Sequence, residues 1–186
     1  MRAAVFAVYR CGFYPKSALE EDNGVANRLD KIVKMINECR YGIHDISRTQ
    51  LNHRGLPRFN MPFELGIFIG ASRFGGTAQK RKSAVIFDKT PFRYQQFLSD
   101  INGFDPKAHQ NKQVNILSQI RNWLSTESRR KNIPTAPILS SEYRRFSRSL
   151  PGLLRTAGLH ADTMTFGDLC VVIKNYLVTN NIISIA

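Results

Sequence analysis

Acidic side chains stand at the ends of two predicted β-strands in the first half of the chain. Asp45 lies near the end of the short apolar segment 42–46, and Asp88 closes the segment 83–88. A third carboxylate, Glu64, lies within the apolar sequence FELG, in the first turn of a predicted helix. A carboxylate among apolar neighbours is costly unless it is paired or used. These acids are therefore the first candidates for acid–base or nucleophilic chemistry.

Basic residues are concentrated in the middle of the chain. Residues 46–104 contain nine Lys and Arg against three Asp and Glu, and the polar segment 47–59 contributes Arg48, Arg54 and Arg58. Guanidinium groups form paired hydrogen bonds with phosphate oxygens. Because long ordered loops are often functional, this segment predicts a loop that binds the phosphate of an anionic ligand.

The charge of the whole chain leaves a second class of ligand open. The 186 residues include 27 Lys and Arg against 14 Asp and Glu, a formal net charge of +13. Such a chain is attracted to polyanions, nucleic acid among them. The excess is spread evenly over the two halves of the chain, with no basic tail, which makes nucleic acid the second choice behind a small anionic ligand.

The cysteines and the hydropathy exclude several classes of protein. Three scattered cysteines and the absence of a CxxC pair argue against a disulfide framework and a zinc ribbon. His53, His109 and His160 have no metal-ligand spacing with cysteines or carboxylates, so we predict no metal site. No apolar run reaches the ~18–20 residues of a membrane span. We expect a reduced, cytoplasmic protein without a membrane partner.

The elements that must position these residues follow from the hydrophobic periodicity. The apolar run 3–9 predicts a first strand, and 42–46 and 83–88 predict a second and a third. Predicted helices follow each strand: the first between a cap at Asn23 and a stop at Gly42, the second from a cap at Asn60 to residue 72, and the third at 92–101. Alternating strands and helices indicate an α/β fold, a flavodoxin-like open parallel sheet over residues 1–104. Residues 105–186 predict a C-terminal helical extension packed on it, the clearest helix being 166–178.

Ligands of such sheets bind outside the carboxyl ends of the strands. This rule selects candidates for substrate binding or catalysis at each predicted strand end and at the start of the helix after the long loop. They are Tyr9 and Arg10, Asp45 and Arg48, Asp88, and Arg58, Asn60 and Glu64.

The order of these segments resembles the nucleoside 2-deoxyribosyltransferase-like superfamily, which is related in fold to the Toll/interleukin-1 receptor (TIR) domains that cleave NAD. The resemblance runs from RLDKIVKMINECRYGIHDIS to NMPFELGIFIGA and covers residues 1–104. It implies that Glu64 is the counterpart of the nucleophile at the sugar anomeric carbon. It further implies that Asp45 binds the base or sugar, and that Tyr9 orients the nucleophile.

One departure from the family bears on the substrate. Six residues before the nucleophile the transferases carry an aspartate, whereas this chain has Arg58, with Asn60 two residues later. An arginine suits a phosphate better than a ribose hydroxyl. A nucleotide or dinucleotide, NAD in particular, is therefore the expected substrate.

These residues predict cleavage of an N-glycosidic bond, by hydrolysis or by transfer, with NAD or a nucleotide as substrate and no separate cofactor. Glu64 and Asp45 are the predicted catalytic residues. By likeness to TIR-type enzymes, a role as a toxin or antiviral effector is implied. The alternative is a non-catalytic module that senses a nucleotide or binds nucleic acid. A homo-oligomer formed through the C-terminal helices is a further expected partner.

Overall fold

The computed structural model describes residues 1–20, 27–49, 51 and 53–184, and within them the chain is a mixed α/β protein with a small open parallel sheet. The helices are α1 (Arg2–Arg10), α2 (Arg28–Glu38), α3 (Asn60–Phe74), α4 (Gln113–Ser128), α5 (Ala136–Thr156) and α6 (Phe166–Thr179). The strands are β1 (Tyr41–Asp45), β2 (Ser83–Asp88) and β3 (Lys107–Ala108). No helix in these described ranges combines the length and apolar character that crossing a membrane takes.

The chain forms two compact units. Residues Asn23–Lys112 contain the sheet with α2 and α3, and we call them the sheet unit. Met1–Asp22 together with Gln113–Ala186 contain α1 and α4 to α6, and we call them the helical unit. This division differs from the predicted boundary near residue 104, because the first helix belongs with the C-terminal helices.

The sheet of the sheet unit has the order β1-β2-β3, and both pairs of strands are parallel. In the register, Asp45 is opposite Phe87 and Asp88 is opposite Ala108. The predicted strands 42–46 and 83–88 are thereby confirmed, the first within one residue.

Helix α3 covers one face of the sheet. Its buried side chains Leu65 and Phe68 point to the strands, and Leu65 joins a core cluster with Ile46, Ile86 and Tyr94. The helix begins at Asn60, with Phe59 in the cap position, so Asn60 is the first helical residue and not the predicted cap. Burial of these apolar side chains, rather than capping, stabilises the start of α3.

A glycine in β1 allows a histidine and an aromatic ring to pack against the strand. A Cβ atom added at Gly42 would lie 2.7 Å from His44 Nε2 and 2.8 Å from Phe68 Cε2. The two rings meet edge to face, 5.1 Å apart. His44 is 6% exposed, and burial lowers its pKa to about 4, so its imidazole is neutral.

The N-cap of helix α2 is Asn27, four residues later than the predicted cap Asn23. The side chain of Asn27 accepts a hydrogen bond from the backbone N–H of Leu29 at 2.9 Å and caps the helix. The predicted cap, Asn23, lies outside the described residues. Ile32 and Ile36 form the buried face, whereas Leu29 and Val33, which the helical periodicity places on the same stripe, are 39% and 45% exposed.

The predicted helix 92–101 is wrong. Two short 3-10 turns, Arg93–Gln96 and Ser99–Ile101, replace it. Phe92 has a φ of 61°, a left-handed conformation that an α-helix does not accept. The chain turns sharply there, and the turn brings the Arg93 side chain back to the end of β2.

The predicted first strand at residues 3–9 is also wrong, because these residues form most of α1. Phe6 and Ala7 are fully buried, and α1 packs on α4, α5 and α6. A continuous apolar run does not distinguish a buried strand from a helix that is buried on most sides. Three alanines in the run favour the helix.

In the C-terminal part of the helical unit, the hydrophobic periodicity predicted the helix correctly. Helix α6 coincides within one residue with the predicted segment 166–178. Thr165 caps it through a hydrogen bond from the Asp168 N–H, and the Asp168 carboxylate accepts one from the Thr165 N–H. This reciprocal capping box fixes where the helix begins.

Candidate active site at the carboxyl edge of the sheet

The ends of three neighbouring parallel strands bring three titratable side chains to one edge of the sheet. Asp45 is the last residue of β1, Asp88 is the last residue of β2, and His109 directly follows β3. The ladder continues past β3, since the His109 N–H donates to the Asp88 carbonyl at 2.9 Å. The placement of Asp45 and Asp88 at strand ends agrees with the sequence analysis.

Asp45 and His109 face each other at this edge. His109 Nδ1 accepts a hydrogen bond from the Asn111 N–H at 2.9 Å, which leaves the proton on Nε2. Nε2 lies 3.5 Å from Asp45 Oδ1, and the same oxygen accepts a hydrogen bond from the Ser47 N–H at 3.0 Å. The side chain of Asp45 is 46% exposed, whereas that of His109 is 5% exposed. The Asp45 carboxylate is thus held in place by the Ser47 N–H and remains accessible to solvent, while the His109 ring beside it is buried.

The turn after β3 holds the histidine in this orientation. Gln110 and Asn111 both have left-handed φ values, 53° and 56°. Such residues carry backbone strain, and strain of this kind clusters at functional sites. The Gln110 N–H donates to the Lys89 carbonyl, and the Lys112 N–H donates to the His109 carbonyl. These bonds keep the Asn111 N–H on the His109 ring.

Asp88 and Arg93 join the loops that follow β1 and β2. The Arg93 Nε donates to Asp88 Oδ1 at 2.8 Å, and Nη2 donates to the carbonyls of Ile46 and Ser47, each at 3.1 Å. Nη1 donates to Thr49 Oγ1 at 3.0 Å. One guanidinium group therefore ties four points together, and we call this set the arginine clamp.

Only one oxygen of the buried Asp88 carboxylate is used by the clamp. Asp88 is 1% exposed, and its Oδ1 also accepts a hydrogen bond from the Lys89 N–H at 2.6 Å. Its Oδ2 has no hydrogen-bond partner among the described residues. The predicted role of Asp88 in substrate binding stays a prediction, and the structure gives this carboxylate the task of holding Arg93.

Glu64 lies in the second turn of α3, not in the first as predicted. Its side chain is half-buried, and this desolvation raises its pKa, while the Arg28 guanidinium at the start of α2 acts in the opposite direction. A carboxyl group with a raised pKa in partial isolation from water is typical of reactive acids.

The three loop arginines predicted to bind phosphate, Arg48, Arg54 and Arg58, are exposed, and so is Asn60. Arg48, Arg58 and Asn60 point to solvent, and within the described part of the chain none of them forms a hydrogen bond or ion pair through its side chain. Arg48 directly follows Ser47, whose N–H bonds to Asp45. Cationic groups near the sheet edge thus remain available to an anion.

Tyr9 and Arg10 do not follow a strand, so the argument that took them to the sheet edge was wrong. Both lie at the end of α1 in the helical unit. Arg10 forms a two-pronged ion pair with Glu142 of α5, with Nε at 2.7 Å and Nη2 at 3.2 Å. Tyr9 is hydrogen-bonded to Cys170, and burial raises the pKa of its phenol. Both side chains stabilise the packing of the helical unit.

The sequence analysis did not select Arg93 or His109 for the site. His109 has no metal-ligand spacing, and 64 residues separate it from Asp45. Its position after a two-residue strand gave almost no periodicity. The one signal was its place shortly before the start of α4, where an α/β pattern expects the end of a strand.

Within the described residues, no three His, Cys, Asp or Glu side chains gather as a metal site requires. The edge instead offers an accessible carboxylate backed by a histidine, a clamp that fixes the loops, and exposed arginines. The chain matches no protein-family model, no curated protein and no solved structure.

Proposed function

We propose that the sheet unit binds a nucleotide or NAD at the carboxyl edge of its sheet and cleaves the N-glycosidic bond of that ligand. The observation that carries the proposal is the Asp45–His109 pair, an accessible carboxylate fixed 3.5 Å from a buried imidazole where three parallel strands end. In open α/β sheets this edge is where ligands bind. A flavodoxin-like arrangement of the sheet unit is part of the proposal.

The reaction breaks the bond between the anomeric carbon and the base nitrogen. Positive charge develops on the sugar as this bond opens, and a nearby carboxylate stabilises it or forms a glycosyl ester. We assign this role to Glu64. The base leaves with the bonding electron pair: nicotinamide departs from NAD as a neutral molecule, whereas the base of an ordinary nucleotide takes up a proton from water. Water or a second acceptor supplies the oxygen or nitrogen that replaces the base, and loses a proton to solvent as the new bond forms. Asp45 binds the base or the sugar and assists its departure.

The burial of Glu64 predicts how the activity should depend on pH. A nucleophilic carboxylate must be ionised, and desolvation raises the pKa of Glu64. The acid limb of kcat/KM is therefore expected above the pH at which an ordinary glutamate ionises, about 4.3.

Exposed arginines of the loop after β1 support a phosphorylated ligand. Arg48 and Arg58 carry charge that no described partner neutralises. Removal of the base from NAD would deplete a cofactor that cells require, and the likeness to TIR-type enzymes is the basis for proposing a toxin or antiviral effector.

A non-catalytic nucleotide-sensing module is the second candidate. It is favoured by the engagement of Asp88, since the arginine clamp occupies one of the carboxylates at the edge and leaves fewer for catalysis. Such a module would bind the same ligand through the arginines and release no product.

Product analysis separates the two functions. The full chain is incubated with NAD, nucleotides and nucleosides in ¹⁸O-labelled water, and products are identified by liquid chromatography and mass spectrometry. Cleavage predicts free base and a sugar that carries ¹⁸O at the anomeric hydroxyl, or a transferred sugar when an acceptor nucleoside is present. Asp45→Asn should slow base release, whereas Asp162→Asn, an exposed carboxylate of the helical unit, should not. Label in phosphate, or tight binding without product, contradicts the enzymatic proposal.

A further inference from the structure

A groove of about 440 Å³ lies between α3 and β2 in the sheet unit. Its apolar walls include Leu65, Phe68 and Ile69 from α3 and Ile86 from β2. Pockets for small molecules in proteins have volumes of about 300–1,000 Å³ and are mostly apolar with a few polar groups. The groove has the volume of such a pocket, and its lining combines apolar with polar side chains.

Cationic side chains rim the groove. Arg73, Lys80 and Lys82 belong to its lining, and none of the described acidic residues does. Arg73 and Lys80 are exposed, and within the described part of the chain neither side chain forms a hydrogen bond or ion pair. Two positive charges beside the cavity therefore face solvent, and no described residue supplies a counter-ion to them.

Lys82 is fixed at the inner side of this rim. Its ammonium group donates to the carbonyls of Ile36 and Cys39 at the end of α2, and it lies 4.9 Å from the centroid of the Phe68 ring. An ammonium group held in this way presents a preorganised charge, which lowers the entropic cost of binding an anion.

The groove is distinct from the candidate active site. Lys82 directly precedes β2, whereas Asp88 ends it, and six residue steps along a strand span about 20 Å. Arg73 lies in the last turn of α3, at the end opposite to Glu64. The cationic rim thus lies at the amino end of the strand, away from the edge proposed to bind the nucleotide.

We propose that this groove binds an amphipathic monoanion: an acyl chain that fills the apolar walls and a carboxylate or sulfate head group that meets Arg73, Lys80 and Lys82. Burial of the chain supplies the free energy of binding, at roughly 25 cal/mol per Å² of apolar surface. The charges at one end fix the orientation of the ligand and discriminate against uncharged chains.

Calorimetric titration of the full chain tests the proposal with four probes. Decanoate and decyl sulfate carry both the chain and the charge, decanol lacks the charge, and acetate lacks the chain. We expect saturable one-site binding of decanoate and decyl sulfate, with decanol weaker by about tenfold and acetate silent. The tighter of the two anions identifies the head group. No saturable binding of either anion, or binding of decanol as tight as that of decanoate, overturns the proposal.

Variants of exposed rim residues locate the site. The double variant Arg73→Gln/Lys80→Gln should weaken decanoate binding about tenfold and leave decanol binding unchanged. Arg81→Gln, an exposed neighbour outside the groove, is the matched control and should bind as the unchanged chain does. Far-ultraviolet circular dichroism of each variant verifies the fold. Decanoate binding unchanged in the double variant contradicts the assignment to this groove.

Discussion

His44 holds a neutral imidazole inside the sheet unit. Neither ring nitrogen has a hydrogen-bond partner among the described residues, and burial lowers its pKa from 6.5 to about 4. Between these two pH values the unfolded chain binds more protons at this residue than the folded chain does. The free energy of unfolding therefore falls as the pH drops from 6.5 to about 4, by about 3 kcal/mol in all.

Substitution of this residue tests the linkage. His44→Leu removes the titrating group and keeps an apolar side chain against Phe68, so the loss of stability between pH 6.5 and pH 4 should shrink by about 3 kcal/mol. Urea unfolding measured across this pH range gives the value. His160→Gln, at an exposed position, serves as the control and should keep the full pH dependence. An unchanged slope in His44→Leu would show that the imidazole is protonated in the folded chain.

At the scale of single residues, the sequence predicted the acids of the site better than their partners. Asp45 and Asp88 are recognisable because each directly follows a strand-forming apolar segment. His109 and Arg93 are not recognisable in this way, because their roles depend on turns at Phe92 and Gln110. Both residues have left-handed conformations, but neither is a glycine, so the sequence does not indicate these turns. Tertiary contacts decide these positions.

At the scale of elements, the arginine clamp fixes the loops that form the site. Arg93 bonds to Asp88 and to two carbonyls and a hydroxyl of the segment after β1, and its guanidinium lies 4.9 Å from the centroid of the Phe97 ring. A lysine has the same charge but lacks the planar fork that reaches several acceptors. The position of Asp45 and Ser47 therefore depends on an arginine at residue 93.

Replacement of this arginine has a predictable cost. Arg93→Lys should lower the free energy of unfolding by about 2 kcal/mol, because charged hydrogen bonds are lost and buried acceptors remain. Amide hydrogen exchange at residues 47–49 should accelerate at the same time. Arg81→Lys, which changes an exposed arginine in the same way, should have neither effect. Equal stability and equal exchange in Arg93→Lys would refute the clamp.

The elements that were predicted correctly are those whose pattern is local. Residues 83–88 combine β-branched and aromatic side chains with a charged end, and α6 carries its own capping box. Residues 3–9 have no hydrophobic periodicity. Their helical conformation depends on packing against α4, α5 and α6. Because this segment was predicted as a strand, Tyr9 and Arg10 were wrongly assigned to the sheet edge, and residues 1–22 were wrongly assigned to the sheet domain.

At the scale of the whole molecule, tryptophan fluorescence can test whether α1 belongs to the core of the helical unit. Phe6 is fully buried, and its ring centroid lies 5.3 Å from those of Tyr143 and Phe146 in α5. The single tryptophan, Trp123, lies on α4 of the same unit. Its fluorescence therefore follows the unfolding of the helical core.

Phe6→Ala should move this fluorescence transition to lower urea concentration, with a loss of about 3–5 kcal/mol for a buried aromatic side chain. Phe74→Ala, which removes a ring that is 92% exposed in the sheet unit, should leave the transition in place. If Trp123 reported no change in Phe6→Ala, residues 2–10 would not belong to this core.

The release of free base by the chain, compared with its Glu64→Gln variant, tests the central proposal most directly. Each protein is incubated with NAD and with a panel of nucleotides, and the free base is quantified by chromatography; Glu127→Gln makes the same chemical change at an exposed helical position. We predict release by the unchanged chain and by Glu127→Gln, and a decrease of about a hundredfold or more in Glu64→Gln. Full release by Glu64→Gln would contradict the assignment of Glu64, and no release by the unchanged chain would contradict N-glycosidic cleavage itself.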